Sequence, residues 1–595
     1  MISFPKPDVE QFFRMYLITS FAVSKDEKRV VFSSNMNGKF NLWAIDLPHA
    51  YPYPLTYCNQ TSNFIKFDPE GRHILTGFDR DGDENYHLYA IKPEGGQPYP
   101  LRPASPEDKF FFAHLSEDGE RIYYNTSQHN PQYLNTHRYN LQTQEDELLW
   151  TGEHASTWLA AVSPDESRWI MQKHFANTYI VGYLKEGDEL VCLTPSADVD
   201  HTTSSFVFID NYTVLFVTNY EDENAYVASY SLDTKEFRVV CKIDHENVSE
   251  IKWHKESRTI YIVTEQSVED QMYAYSLDQG ELQPLSNIPV SVIEQVHVAA
   301  SGHVYILGRS ATTALNIYVL QDGEWTMLTQ NRVTGLSKEE LVEPEIVQYN
   351  SFDGLPIESL LFRAKPEVSN GYTIFWPHGG PQASERKFFR SMFQFLLANG
   401  YTIFAPNFRG STGYGASFVK MVEGDWGEGP RLDCVAGIEW LFENNISERD
   451  KLFVVGGSYG GYMTLLLAGR HADYFRAAVN IFGVSNLFTF IESVPDHWKP
   501  VMKRWLGDPI EDKERLTKDN PITYLDQMVK PMLVIQGAND PRVVKAESDQ
   551  IVEALQQKGV EVEYLVLDDE GHGFSKKENE IAVYRKMLQF LDAHK

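Results

Sequence analysis

Cysteine is scarce. Four thiols, Cys58, Cys192, Cys241 and Cys434, serve 595 residues, and none lies within metal-ligand spacing of another. That argues against a disulfide scaffold or a thiolate metal centre and leaves free thiols in a reducing compartment, so a cytoplasmic location is expected. Long apolar runs are missing too. No stretch of about 18 apolar residues occurs, and no bilayer-crossing helix is expected. The start, "MISFPKPDVEQFFRM", lacks the basic opening and apolar stretch of a secretory signal. Basic charge is in deficit, 53 Lys and Arg against 83 Asp and Glu, a net charge of −30. Such a field repels phosphate backbones and anionic lipids, so neither nucleic acid nor membrane is expected as a partner. No dinucleotide motif and no metal cluster is present, so no cofactor is implied.

What remains is an ordinary globular composition, 42% hydrophobic and 13% aromatic, in a chain too long for one core. The first half repeats a unit. A short apolar run meets a polar, Asp-Gly-like turn, then a β-rich run, then a strand ending in a turn. Seven segments fit, among them "FAVSKDEKRVVFSS…NLWAIDL", "FIKFDPEGRHILTGF…HLYAIKP", "LAAVSPDESRWIMQK…YIVGYL" and "VHVAASGHVYILGR…NIYVL". They recur roughly every 40 to 50 residues, the period of four-stranded blades that cover one another's apolar faces. Residues 20–335 therefore read as a seven-bladed β-propeller, since a pair of β-sandwiches would not hold one phase throughout. Ahead of it lies a helical segment, residues 1–19, in which Val9, Phe12, Phe13 and Tyr16 fall on one face. That face needs a partner, either the second domain of the same chain or another subunit.

From residue 345 to 595 strand-like runs ("YTIFWP", "YTIFAPN", "KLFVVGG", "PMLVIQG", "EYLVLDD") alternate with helical ones. This implies a mostly parallel sheet with helices on both faces, whose ligands sit beyond the carboxyl ends of the strands. There, "VVGGSYGGYMTLLLAG" carries G-x-S-x-G at Gly456-Gly457-Ser458-Tyr459-Gly460, between a strand and a helix. That is the context of a nucleophile elbow. Glycines at 456 and 460 remove collisions in the tight turn, Ser458 is lifted above the sheet, and the Tyr459 N–H at the helix start is free for an oxyanion. The strands "PMLVIQG" and "EYLVLDD" lead into Asp540 and His572, so the chain order is Ser, Asp, His. His572 is the expected general base and Asp540 its orienting acid. Asp568 and Asp569 are lesser candidates, because they share the histidine's own loop. "FWPHGGPQ" offers a second oxyanion donor, Gly380 first and Gly379 next, with His378 organising the loop.

These residues bring a family into view. "NFRGSTGYG", "GGSYGG", "GANDPRV" and "DEGHGF" resemble the prolyl oligopeptidase family of serine peptidases, and "DRDGDENYHLYAI" resembles a segment of its acylaminoacyl-peptidase branch. The resemblance implies a β-propeller joined to an α/β-hydrolase domain and peptide hydrolysis through an acyl-enzyme. It makes Ser458, Asp540 and His572 the triad and Arg542 a ligand of a substrate carbonyl. The motif usually continues Arg-Val-Pro, and Val544 replaces the proline here. Val484, Leu487 and Phe488, in the apolar stretch after the next strand, are candidates to line the acyl-side pocket. Dipeptidyl peptidases of the family hold a free amine with adjacent propeller glutamates. The only comparable pair, Glu339-Glu340, lies in the interdomain linker, so short N-acylated peptides are the expected substrates, ahead of dipeptidyl or general oligopeptide cleavage and of a carboxylesterase. Relatives of this kind self-associate, which makes a dimer the expected assembly. A base must be neutral to accept the serine proton, and free histidine titrates near about 6.5. Turnover is therefore expected to fall in acid. A rate that stays constant down to strongly acid pH, in protein still folded by circular dichroism, would exclude His572 as the base.

Overall fold

The computed structural model describes residues 5–595; the first four residues of the helical segment read at 1–19 lie outside the described residues. Between Ile18 and Met327 the chain forms seven antiparallel sheets of four strands, each built from consecutive strands. The second strand of most blades is buried along most of its length, as in Arg29–Ser34 and Ile74–Phe78, because adjoining blades cover both of its faces. Outer strands such as Asp146–Thr151 stay largely exposed. First strands line an axial channel. No strand is shared between the first and last blades. The ring is closed by side chains: Gln295 accepts from the Phe21 N–H at 3.0 Å and donates to the Phe21 carbonyl at 2.8 Å. Around them Ile18, Phe21, Leu307 and Ile317 form one buried cluster.

The helix α1 (Val9–Phe13) is capped by Asp8 in a capping box with Gln11. It ends before Tyr16, which lies in the extended segment that follows, its N–H bonded to Asn331 Oδ1 at 3.2 Å. The helix docks on the second domain of its own chain. Phe12 and Phe13 are buried against Phe395 of α2 (Ser391–Ala398), and Phe13 stacks on Tyr584 at 4.5 Å. Ion pairs Arg14–Glu578 and Arg585–Glu10 flank the contact.

The second domain is an α/β-hydrolase fold. Its sheet has eight strands: β1 (Glu345–Asn350), β2 (Pro356–Phe362), β3 (Thr373–Phe375), β4 (Thr402–Pro406), β5 (Leu452–Gly457), β6 (Ala478–Ile481), β7 (Met532–Gly537) and β8 (Val562–Leu567). Their spatial order is β1-β2-β4-β3-β5-β6-β7-β8, antiparallel in the β1/β2 and β2/β4 pairs and parallel beyond. Strands such as "LFVVGG" and "MLVIQG" are buried and almost wholly apolar because helices cover both faces. Separate buried clusters lie on the two sides of the sheet. All four cysteines are free. Among the described residues no helix is long and apolar enough to cross a membrane.

Truncating a fully buried aromatic removes its transfer energy and leaves a cavity. Phe12→Ala is thus expected to lower unfolding stability by about 3–5 kcal/mol, measured by urea denaturation. An unchanged midpoint would mean that α1 does not dock as described.

Candidate active site

The nucleophile is placed by a backbone few side chains can adopt. Ser458 follows β5 directly and precedes α3 (Tyr459–Arg470), with φ 57° and ψ −122°. Holding that conformation costs on the order of 1–3 kcal/mol, and the surroundings must enforce it. A Cβ at Gly456 would stand 2.2 Å from the Gly460 carbonyl oxygen, and one at Gly460 would stand 2.1 Å from that of Pro377. Only glycine permits either approach. The Ser458 N–H is anchored on the Ile481 carbonyl of β6 at 3.0 Å.

His572 bridges the other two groups. Its Nε2 lies 3.0 Å from Ser458 Oγ and its Nδ1 lies 2.6 Å from Asp540 Oδ2. Asp540 is buried, and its second oxygen accepts from the Arg542 and Val543 N–H groups. The acid is thus fixed before it meets the imidazole, and Nδ1 must carry the proton that Asp540 accepts. Phe482 covers the ring at a 4.6 Å centroid distance. Asp568 and Asp569 are exposed and stand outside this line; Asp569 pairs instead with Lys576 at 2.8 Å.

The oxyanion candidates converge on the serine. Tyr459 is the first residue of α3, and no acceptor bonds its N–H within the described residues. Gly379 packs against Ser458, for a Cβ there would be 3.5 Å from that of the serine. His378, fully buried, donates from Nδ1 to the Gly379 carbonyl at 2.7 Å and meets the Ser411 hydroxyl at 2.8 Å through Nε2. Burial pushes this imidazole down to about 4, so it stays neutral at ordinary pH. Fixing the Gly379 carbonyl turns the Gly380 N–H of the same planar peptide the opposite way, and no acceptor bonds it within the described residues. His378 is a loop organiser, as read from sequence.

Val484 and Leu487 are corrected by the structure. At 2% and 0% exposure they belong to the hydrolase core, packed there by the helix Leu487–Ser493, and support the site from beneath. Phe488, half-buried, is the member of the trio that reaches the surface. Arg542, 44% exposed, points at the propeller. Its Nε lies 2.9 and 3.0 Å from the two carboxylate oxygens of Glu84.

Glu84 and Glu570 were not singled out from the sequence. Glu84 sits at φ 55° in the "DRDGDENYHLY" strap, which also presents Asp79 and Asp83. Burial, with Asp83 nearby, pushes Asp79 up to about 7. The adjacent Asp83-Glu84 pair was the available signal, missed because the expected amine clamp is a pair of glutamates. Glu570, fully buried, accepts from the N–H groups of Ser575 and Lys576, the Ser575 hydroxyl and the Asn579 amide, and so braces the loop that carries His572.

The strap also touches the catalytic loops through backbone. A Cβ on Gly82 would fall 2.5 Å from the Gly571 nitrogen, and one on Gly571 would fall 2.0 Å from the Gly82 carbonyl oxygen. Asn539 donates to the Asp81 carbonyl, and Lys576 pairs with the Asp81 carboxylate at 2.8 Å.

Residues 387–595 match the prolyl oligopeptidase family. The chain is 28% identical over 596 residues to dipeptidyl aminopeptidase BIII of Pseudoxanthomonas mexicana, an alignment spanning 94% of this chain and 84% of that protein. It is 30% identical over 238 residues to the acylamino-acid-releasing enzyme of Arabidopsis thaliana, covering 38% of this chain and 31% of the relative. Among solved structures, a Mycobacterium tuberculosis puromycin-hydrolyzing peptidase superposes with TM-score 0.85 at 18% identity over 100% of this chain and 97% of its own. The Pyrococcus horikoshii acylaminoacyl peptidase gives TM-score 0.74 at 18% identity, covering 99% and 98%. These likenesses place the two-domain fold.

Two outcomes follow from the geometry. Ser458→Ala, which removes only a hydroxyl, is expected to abolish turnover and fluorophosphonate labelling with an unchanged melting temperature; residual turnover near the native rate would put the nucleophile elsewhere. Gly82→Ala must push the strap off the histidine loop, and a displacement of about 1 Å near a site can cost on the order of 100-fold in rate. Unaltered kcat/KM in that variant would deny the contact a role.

Proposed function

We propose that this chain, which belongs to the prolyl oligopeptidase family of serine peptidases, releases an N-acylated amino acid from short peptides with a blocked amino terminus. The Arg542–Glu84 pair carries this reading. The guanidinium Nε and the carboxylate are spent on each other, while no partner bonds the two terminal nitrogens of Arg542 within the described residues. Those nitrogens are donors for a carbonyl on the acyl side of the scissile bond, and Glu84 fixes their direction. A free ammonium brought to the same place would need a counter-charge that Arg542 already uses.

The chemistry is acyl transfer. Ser458 Oγ attacks the carbonyl as its proton passes to His572 Nε2, and Asp540 steadies the imidazolium. The Tyr459 and Gly380 N–H groups receive the oxyanion. The imidazolium then protonates the departing amine, and water repeats the sequence to free the acyl product. The propeller stands over the site, which favours short, flexible substrates.

Release of dipeptides is the second reading. It is favoured by Asp83 and Asp79 beside Glu84, and by the long alignment with a relative named as a dipeptidyl aminopeptidase. Rates on an N-acetylated amino-acid anilide, the same anilide with a free amine and a dipeptidyl anilide separate the two, with Ser458→Ala as blank. The acetylated substrate is expected to lead. In Glu84→Gln its KM is expected to rise, because Arg542 loses its fixed direction. Preference for the dipeptidyl substrate, with a KM rise in Glu84→Gln confined to free amines, would replace the first reading by the second. Ester turnover without any of the three amides would overturn both.

A further inference from the structure

The first strands of the seven blades share one phase. Aligned on the turn that follows each, they set Ala22, Lys66, His114, Ala161, Val207, Lys252 and His297 at one level. The next residue is buried between blades at Val23, Leu115 and Val162, so alternation turns this level toward the channel axis. Strand starts face the hydrolase domain, since Ser156 bonds the His497 carbonyl at 2.9 Å. The ring therefore lies toward the far end. A cavity of about 550 Å³ there includes Val207, Glu250, Lys252 and Glu294 in its lining.

Charges on this level feel one another across the axis. Burial lowers the Lys66 ammonium, and Lys252, three blades away around the ring, lowers it further. Burial and then Lys66 push His114 down to about 4; burial, Lys66 and Lys252 do the same to His297. Lys66 is solvent-accessible yet surrounded by protein, as a side chain in a water-filled channel must be. The acids that face the ring are already paired, one of them with a lysine of the ring itself. Glu250 pairs with Lys252 at 2.6 Å and Glu294 with Arg309 at 2.5 Å. Glu166 is held by Arg121 and Tyr123, and Glu27 by His303 and Tyr305. No carboxylate among the described residues comes within ion-pair distance of Lys66, and neither His114 nor His297 has a ring nitrogen in a hydrogen bond there.

We propose that the far end of the propeller channel is an oxyanion site, with Lys66 at its centre, the imidazoles of His114 and His297 as N–H donors, and the Lys252–Glu250 pair opposite. A chain of net charge −30 holds here an ammonium without a counter-ion, together with two unspent donors. Hydrogen bonds to a charged group are the strong ones, and an oxyanion accepts several at once. Inorganic phosphate and the terminal carboxylate of a short peptide in the channel share that chemistry. The site is remote from Ser458 and independent of the substrate reading above.

Calorimetric titration of the Ser458→Ala protein with inorganic phosphate, with a tetrapeptide bearing a free carboxylate, and with its carboxamide tests the proposal. Phosphate or the free-carboxylate peptide is expected to bind, and adding Lys66→Ala to weaken that binding by about ten-fold or more. Lys66→Arg should retain it. In protein with Ser458 intact, Lys66→Ala should hydrolyse a small anilide at the native rate, which certifies its folding. Tighter binding of the free carboxylate than of the carboxamide, with phosphate competing, supports a peptide terminus; phosphate binding alone supports a free-anion site. Affinities that Lys66→Ala leaves unchanged, or no binding of either anion, overturn the proposal.

Discussion

Two glycines from different domains meet backbone to backbone beside His572. Gly82 and Gly571 approach so closely that a Cβ on either would collide with the other's main chain. This contact sets the distance between the propeller and the hydrolase domain at the place where the distance matters. Because the strap lies flush on the histidine loop, Asp81 reaches Lys576, Asn539 reaches the Asp81 carbonyl, and Glu84 reaches Arg542. The strap bends through φ +47°, +81° and +55° at Asp81, Gly82 and Glu84 to make these contacts, an unfavourable run for two side-chain-bearing residues. A merely covering lid would not need it.

Charge supports the same closure. Along the interface the propeller contributes carboxylates and the hydrolase domain cations: Asp81 with Lys576, Glu84 with Arg542, Asp200 with Arg504 and Lys420, Glu269 with Lys387, Asp270 with Arg386. Most are partly exposed, where a pair contributes about 1 kcal/mol or less. Asp270–Arg386 is the exception, its side chains only 2% and 12% exposed, and loss of one partner would strand a buried charge. The pairs therefore select one docking register more than they hold the domains together. Part of the chain's acidity faces inward, against a complementary surface, rather than toward solvent.

Much of this was legible in the sequence, for identifiable reasons. The seven blades show because each repeats one turn chemistry, and the elbow shows because no residue but glycine fits at 456 and 460. The triad shows because Asp540 and His572 follow the last two strands in order. What stayed hidden is tertiary. Val484 and Leu487 have the composition of a pocket wall and the burial of a core, and composition alone does not separate the two. Glu84 is one acid among 83 acidic residues until the fold carries it to Arg542. The tip of the N-terminal helix was misjudged by one turn: Tyr16 keeps the apolar period, but the chain leaves the helix at Phe13 to enter the first blade.

The site is thus divided by origin. The proposed nucleophile, base, acid and both oxyanion N–H groups belong to the hydrolase domain, fixed by the parallel sheet, by backbone donors to Asp540 and by the Glu570 brace. The direction of Arg542 belongs to the propeller, through Glu84. Bond-breaking chemistry needs sub-ångström placement and draws it from within one rigid core. The proposed orientation of the acyl side, by contrast, depends on the domains being together. On the proposed reading, a peptide that held them apart would keep an assembled triad but meet an undirected arginine, so exclusion of bulky substrates and loss of their orientation would be one event, with Gly82 against Gly571 as its stop.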